Sequence, residues 1–383
     1  MNTTKLYDTD SYCSQFTAKV LLCEQNGENY KVILDRTAFF PEGGGQYSDT
    51  GYLNNSKVLD VQIENGIIYH YCDTPLNIND NVIGKIDFNE RFDKMQQHTG
   101  EHIISGIVNK LYGYNNTGFH LSDNIVTLDF DGTLNREQIN NIEILANECV
   151  HKNVSVSVSF PNENELNEIN YRSKLDLTEN VRLVTIEGYD VCACCAPHVS
   201  STGQVGSIKL LECEKHKSGV RITIKCGMRA VLDYQDKYKN IQEISALLCA
   251  KQSDTADAVL LLQEENNKLK YNITGLKREI CEMKLAQISN TNENVVFFEN
   301  DMDAASLRFL ADKGSQKCRI FAVVNRTETG TQLVCCSKQV DLKQNIDFFK
   351  EKLSLLGGGN NTMLQGKITA DEKTVKNFFL YEI

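Results

Sequence analysis

The 383 residues hold no apolar run near the roughly 18 consecutive residues that a membrane-spanning helix requires, so no membrane role is expected. Residues Met1 to Asp8 also lack the apolar stretch of a secretory leader. Without such a leader, the fourteen scattered cysteines, several of them single within apolar runs (Cys149, Cys249, Cys318), read as reduced thiols in a cytoplasmic compartment. Positive charge is short as well. A formal net charge of −11 argues against indiscriminate binding to polyanions, because affinity for phosphates comes from Lys and Arg. Contact with a nucleic acid would then need a local patch. Residues 209–239 supply one local excess, eight Lys/Arg against four Asp/Glu, with an ordinary solvated surface as the competing reading.

Histidine is scarce too, only seven in the chain, yet two of them stand four apart in His98-Thr99-Gly100-Glu101-His102. On a helix, side chains at that spacing project from one face, so both imidazoles can reach a single ion. Downstream, Cys194-Cys195-Ala196-Pro197-His198 offers a thiolate and an imidazole at the same spacing. Together His98, His102, Cys194 and His198 make a His₂-Cys-His set that suits one Zn²⁺ per chain.

Length and a hydrophobic content of 41% allow two or three domains. Short apolar-polar runs at 17–34 and 52–72, separated by Asn/Gly turns, predict a small β-barrel over 1–88. Between them lies Thr37-Ala38-Phe39-Phe40-Pro41-Glu42-Gly43-Gly44-Gly45-Gln46, which matches neither common nucleotide loop. A helix from about 91 to 111, a strand at 125–130, a helix at about 135–152 and a strand at 154–158 predict an α+β metal domain over 89–229. Over 230–290, Val259, Leu262, Leu269, Ile273, Leu276, Ile280 and Met283 keep three- and four-residue spacing broken only by Asn266. Such a heptad seam predicts a helical hairpin, with an intermolecular coiled coil as its rival. A C-terminal α/β module fills 291–383, where Gly357-Gly358-Gly359 after a helix reads as a stop followed by a flexible loop. The fold class is α+β.

Four stretches, in order, carry a resemblance: Phe39 to Gln46 with Asp49-Thr50-Gly51; His98 and His102; Cys194 to Val199 with Thr202 to Gly206; and Gly219 to Ile222 with Cys226-Gly227. The sequence resembles the free-standing alanyl-tRNA editing proteins of the long form, which are similar to the editing and C-terminal parts of alanyl-tRNA synthetase. The resemblance implies zinc-dependent hydrolysis of the ester joining serine or glycine to the tRNA for alanine, with 291–383 as a tRNA-binding domain. It implies action in trans, since the glycine loop begins near residue 37 and leaves no room for a charging domain. Glu101 stands where the synthetase pattern carries threonine, and is a candidate general base or a partner that orients an imidazole. Thr37, Gln46 and His120 are candidates to line the amino-acid pocket. Arg221, Arg229, Gly357, Gly358 and Gly359 are candidates for tRNA contact. A homodimer through the C-terminal half is a further expectation.

Two rivals stand beside this reading. HTGEH fits the inverted zincin motif, in which Glu101 would serve a metallopeptidase with no use for Cys194 or His198. A non-catalytic tRNA-binding protein with a structural zinc is the other, since four protein ligands close a tetrahedral site that catalysis needs open.

Overall fold

The computed structural model describes residues 3–122, 124–173 and 181–383. Its contacts divide the chain into two compact units, Met1–Gln242 and Glu243–Ile383.

The first unit begins with β1 (Thr4–Lys5), which pairs in parallel with β4 (Arg36–Thr37). Six further strands, β2 (Gln15–Asn26), β3 (Asn29–Leu34), β5 (Gly51–Leu53), β6 (Ser56–Glu64), β7 (Ile67–Cys72) and β8 (Asn81–Ile86), close into a barrel in the order β2-β3-β7-β6-β5-β8. Strict alternation drives it. Phe16, Ala18 and Val20 of β2 and Val82, Gly84 and Ile86 of β8 point inward, while the residues between them face out. Closure leaves no unpaired edge. The short β5 and the β8 strand complete the ring and were not legible as strands, because three residues carry too little pattern and Gly84 interrupts the other.

Next comes α1 (Phe88–Tyr112), 25 residues long, capped by the Asp87 side chain at its start and by left-handed Gly113 at its end. It is buried from Lys94 to Val108 and packs against β9 (Asn116–Leu121), α2 (Arg136–Lys152), β13 (Asp190–Ala193) and β15 (Gly219–Cys226). Around it lie two antiparallel sheets. One runs β14-β15-β10-β9, with β10 (Val126–Phe130) and β14 (Ile208–His216); the other runs β11-β12-β13, with β11 (Val156–Ser159) and β12 (Leu183–Ile186). Short α3 (Glu163–Glu168) lies between them in sequence. Ile103, Ile104, Val108, Leu128, Ile142, Val184 and Ile222 form the centre of the core that holds α1 in place.

α4 (Met228–Leu248) spans the boundary between the units in sequence. In the second unit α5 (Thr255–Ala286) runs for 32 residues, but only Thr255 at its start and Cys281 and Leu285 at its end are buried. The heptad residues Val259, Leu262, Leu269, Ile273, Leu276, Ile280 and Met283 are each between 39% and 69% exposed. Both expected helices form, and the heptad positions of α5 are exposed. A heptad stripe specifies that a helix wants a partner without naming which.

A five-stranded sheet, ordered β16-β17-β18-β20-β19, completes this unit: β16 (Val295–Asn300), β17 (Phe321–Thr327), β18 (Gly330–Cys336), β20 (Met363–Ile368) and β19 (Leu356–Gly359). Only β16 and β17 run parallel, joined through α6 (Ala304–Gly314); α7 (Ile346–Leu353) and α8 (Glu372–Asn377) supply the remaining helices. The triple glycine is not a loop. Ser354 takes the left-handed stop after α7 (φ 54°), and Gly357 to Gly359 form the edge strand β19. A Cβ on Gly357 or Gly359 would fall 2.2 Å from Gln365 O or 1.9 Å from Met363 O, so the tight pairing with β20 requires glycine there. Among the described residues no helix is long and apolar enough to cross a membrane.

His70 is a buried polar residue inside the barrel. His70 of β7 donates from Nδ1–H to Val32 O (3.2 Å), and its Nε2 takes the Thr37 hydroxyl proton (2.8 Å). Thr37 Oγ1 in turn accepts from Phe39 N–H (3.1 Å), which holds the hydroxyl against the ring. Burial pushes His70 down to about 4 from its ordinary 6.5. The unfolded chain therefore takes up this proton first as pH falls. Stability is intact above about pH 6.5 and is lost toward pH 4, by about 3 kcal/mol for this group and no more below that. Replacing His70 with glutamine should flatten the decline in chemical-denaturation stability between those two values; a decline as steep as in the unsubstituted protein would contradict this assignment.

Candidate metal centre

The two halves of the histidine-cysteine set meet. His98 and His102 project from one face of α1, their ring centroids 5.4 Å apart. Cys194 is the first residue beyond β13, and the loop that follows returns His198 to within 4.8 Å of the His98 ring and 4.6 Å of the His102 ring. Arg182 holds that loop, donating to Cys194 O (2.8 Å) and Ala196 O (2.9 Å). Cys194 Sγ lies 3.6 Å from His98 Nε2 and 3.4 Å from His198 Nε2, and the four candidate ligand atoms all lie within 4.8 Å of one another. A tetrahedral zinc with ordinary bond lengths holds sulfur and nitrogen about 3.5 Å apart. These residues fit the ion.

Their protonation states fit it too. Burial alone would raise the Cys194 thiol, but His98 and the hydrogen bonds from His102 and His198 hold it well below its ordinary value, toward the thiolate that binds metals. Burial pushes His198 down to about 3, so it stays neutral. At His102 burial opposes a positive charge, yet Glu101 and Asp190 outweigh it and raise the imidazole well above its usual range. Positive charge is favoured at that position, which a bound cation would also meet.

Every ligand imidazole turns Nδ1 outward and Nε2 inward. Nδ1–H donates to Gln46 Oε1 from His98 (2.9 Å), to Asp190 Oδ2 from His102 (2.9 Å) and to Thr99 Oγ1 from His198 (3.0 Å). Such outward partners fix tautomer and ring orientation. Glu101 is buried beside this set. Its Oε1 accepts from Ser105 Oγ and from Asn116 Nδ2, each at 2.7 Å, and its Oε2 lies 3.5 Å from His102 Nε2.

Gln46 arrives on the glycine loop. Gly43 and Gln46 exchange backbone hydrogen bonds in a tight turn, and Leu121 N–H of β9 donates to Gly45 O (2.9 Å). Gly45 takes φ +84°, and a Cβ on it would lie 2.2 Å from Phe119 O, so the loop presses onto β9 only because this residue has no side chain. The flanks of the loop are clamped by α1 itself. Buried Arg91 donates through Nε and Nη2 to Asp49 and through Nη2 to Ala38 O (2.7 Å), while Asp49 Oδ2 accepts from Phe40 N–H (2.6 Å). Gln46 Nε2 is buried with no hydrogen-bond partner among the described residues, a donor left over beside the cluster.

The remaining candidates lie elsewhere. Thr37 is committed to His70 inside the barrel. His120 stands exposed on β9, whereas its neighbour Phe119 packs its ring 4.6 Å from that of His98. Arg221 forms a two-pronged pair with Asp129 (2.7 and 2.8 Å), and Arg229 does so with Asp93, so both guanidinium groups are engaged within the protein. Gly357, Gly358 and Gly359 belong to β19 of the second unit. Asp190, Asn116 and Ser105 were missed. Asp190 stood four residues before Cys194, the only available signal; Asn116 carried none.

Two family models match the chain. Residues 181–223, which include Cys194 and His198, match the threonyl and alanyl tRNA synthetase second additional domain, and residues 12–90, which include the glycine loop, match class II (A) tRNA synthetases. The alanyl-tRNA editing protein Aarsd1-A of Xenopus laevis is 30% identical over 306 residues, covering 76% of this chain and 74% of that protein. Aarsd1 of Bos taurus is 32% identical over 290 residues, 71% of this chain and 65% of its own length. An alanine–tRNA ligase of Pyrococcus furiosus is 30% identical over 397 residues, 97% of this chain but 42% of the ligase. The chain thus spans about two fifths of the length of the ligases it matches. Sequence, site and relatives agree: the chain belongs to the family of alanyl-tRNA editing proteins, which resemble alanyl-tRNA synthetase.

Proposed function

We propose that this chain hydrolyses the ester of serine or glycine wrongly attached to the tRNA for alanine, acting in trans at a zinc ion held by His98, His102, Cys194 and His198. The convergence of those four side chains at sulfur–nitrogen separations of 3.4 and 3.6 Å carries the reading. Zinc bound there by all four side chains would organise the pocket, and would supply a Lewis acid to the ester carbonyl or to a water where one ligand yields its position. The protein supplies the rest. An aminoacyl ester is already activated, so positioning and charge stabilisation account for most of the catalysis required. Glu101, one oxygen fixed by Ser105 and Asn116, is the group assigned to take the proton from the attacking water. Gln46 Nε2, a buried donor with no partner among the described residues, is assigned to bind a polar atom of the aminoacyl group. For the serine ester, a site that hydrogen-bonds the hydroxyl discriminates strongly against correctly attached alanine, which lacks it; the glycine ester gains nothing from this contact. The peptidase rival is disfavoured, since Cys194 and His198 complete the ligand set it does not need.

In the test, purified zinc-loaded protein is mixed with serine-charged and glycine-charged tRNA for alanine, and ester loss is followed. Release should occur without ATP, vanish in His102→Ala, and fall at least about 10²-fold in Glu101→Gln with zinc retained. Ester loss at the spontaneous rate would refute the function; full activity in Glu101→Gln would refute only the base.

Recognition of the tRNA body is assigned to 291–383, through RNA shape and phosphate contacts. Arg221 and Arg229, being paired internally, then serve mainly to stiffen the metal domain. Removing 291–383 should raise KM for charged tRNA and relax the choice among tRNAs, with kcat kept. Unaltered discrimination would count against this division of labour.

A further inference from the structure

We propose that Asp190, clamped by Arg172, is the positioning residue that makes His102 the anchoring ligand of the metal centre; this rests on the reading that the four side chains hold zinc. The three ligand imidazoles rest on chemically different acceptors. His98 has the amide of Gln46, His198 has the hydroxyl of Thr99, and His102 alone has a carboxylate. Hydrogen bonds to an ionised acceptor are roughly twice as strong as those between neutral groups. The charged one therefore dominates the outer sphere.

Asp190 is only 6% exposed, and its oxygens are fully assigned. Oδ1 accepts from Arg172 Nε at 2.7 Å, while Oδ2 accepts from Arg172 Nη2 at 2.8 Å and from His102 Nδ1 at 2.9 Å. The two-pronged pair fixes the plane of the carboxylate and keeps it ionised in a buried place, where a lone charge is costly. Arg172 is itself locked to the same strand. Its N–H donates to Val191 O (2.8 Å) and its carbonyl accepts from Ala193 N–H (2.9 Å), so it flanks β13 beside Cys192. One strand thus carries the acceptor that aims His102 and runs directly into Cys194, linking a ligand from α1 to the ligand loop.

His102, Asp190 and Cys192 also converge within 4.8 Å, a cluster able in principle to hold a second ion. Asp190 has both oxygens taken by Arg172 and His102, so the geometry assigns it to orientation instead of ligation.

Zinc affinity of the full chain, measured by competition with a chromophoric chelator, tests this without reference to activity. Asp190→Asn should bind zinc about 10- to 100-fold more weakly, the usual cost of removing such an outer partner. Arg172→Gln should weaken binding less, and the double variant should be no weaker than Asp190→Asn, because Arg172 acts through Asp190. Thr99→Val, which removes the neutral acceptor of His198, should cost less than Asp190→Asn. Circular dichroism of the metal-free proteins checks folding, and if Asp190→Asn does not fold, an unaltered affinity in Arg172→Gln overturns the proposal. So does a folded Asp190→Asn that binds zinc as the unsubstituted chain does, a Thr99→Val loss as large as that of Asp190→Asn, or two zinc ions per unsubstituted chain. An unsubstituted chain that binds no zinc would overturn the proposed function itself, a separate outcome.

Discussion

Three imidazoles and a thiol are packed into the interior of the first unit with their ligand atoms facing one another, and this juxtaposition is the constraint around which that unit is built. Polar groups taken out of water are costly unless each finds a partner. The outward nitrogens are satisfied by Gln46, Asp190 and Thr99. Among the described residues the inward ones face each other, Cys194 and, at His102, Glu101 Oε2, an arrangement that a divalent cation would satisfy.

Other elements serve that arrangement. α1 is long and buried from Lys94 to Val108, where it presents two histidines four residues apart while resting on two sheets. The barrel acts through its glycine loop, which carries Gln46 onto β9 and is pinned by the Arg91–Asp49 pair, one of whose members lies on α1 itself. A loop from the barrel and a helix from the metal domain are thereby fixed to one another at the site. β13 contributes in two ways, orienting His102 through Asp190 and delivering Cys194.

Much of this was legible in the sequence, and what was not has physical reasons. The ligand set could be read because a spacing of four needs only a helix or tight loop to bring two side chains together. The partners of Glu101, such as Asn116, could not, since they depend on which strands lie beside the helix. Thr37 and His120 were plausible on position alone. A barrel interior claimed the first, and strand alternation turned the second outward while aiming Phe119 at His98. The triple glycine looked like a loop because glycine is read as freedom, whereas at β19 it serves close approach of two backbones. The heptad of α5 was legible as a helix, but its partner was not, because an apolar stripe records only that something covers it.

The proposed zinc site draws its ligands from two segments distant in sequence, His98 and His102 on α1 and Cys194 and His198 beyond β13. X-ray absorption at the zinc edge of the purified, zinc-loaded protein tests it most directly. The account predicts a four-coordinate or slightly expanded site with a single sulfur near 2.3 Å and imidazole nitrogens near 2.0 to 2.1 Å. A shell of oxygen and nitrogen alone, with no sulfur scattering, would contradict it.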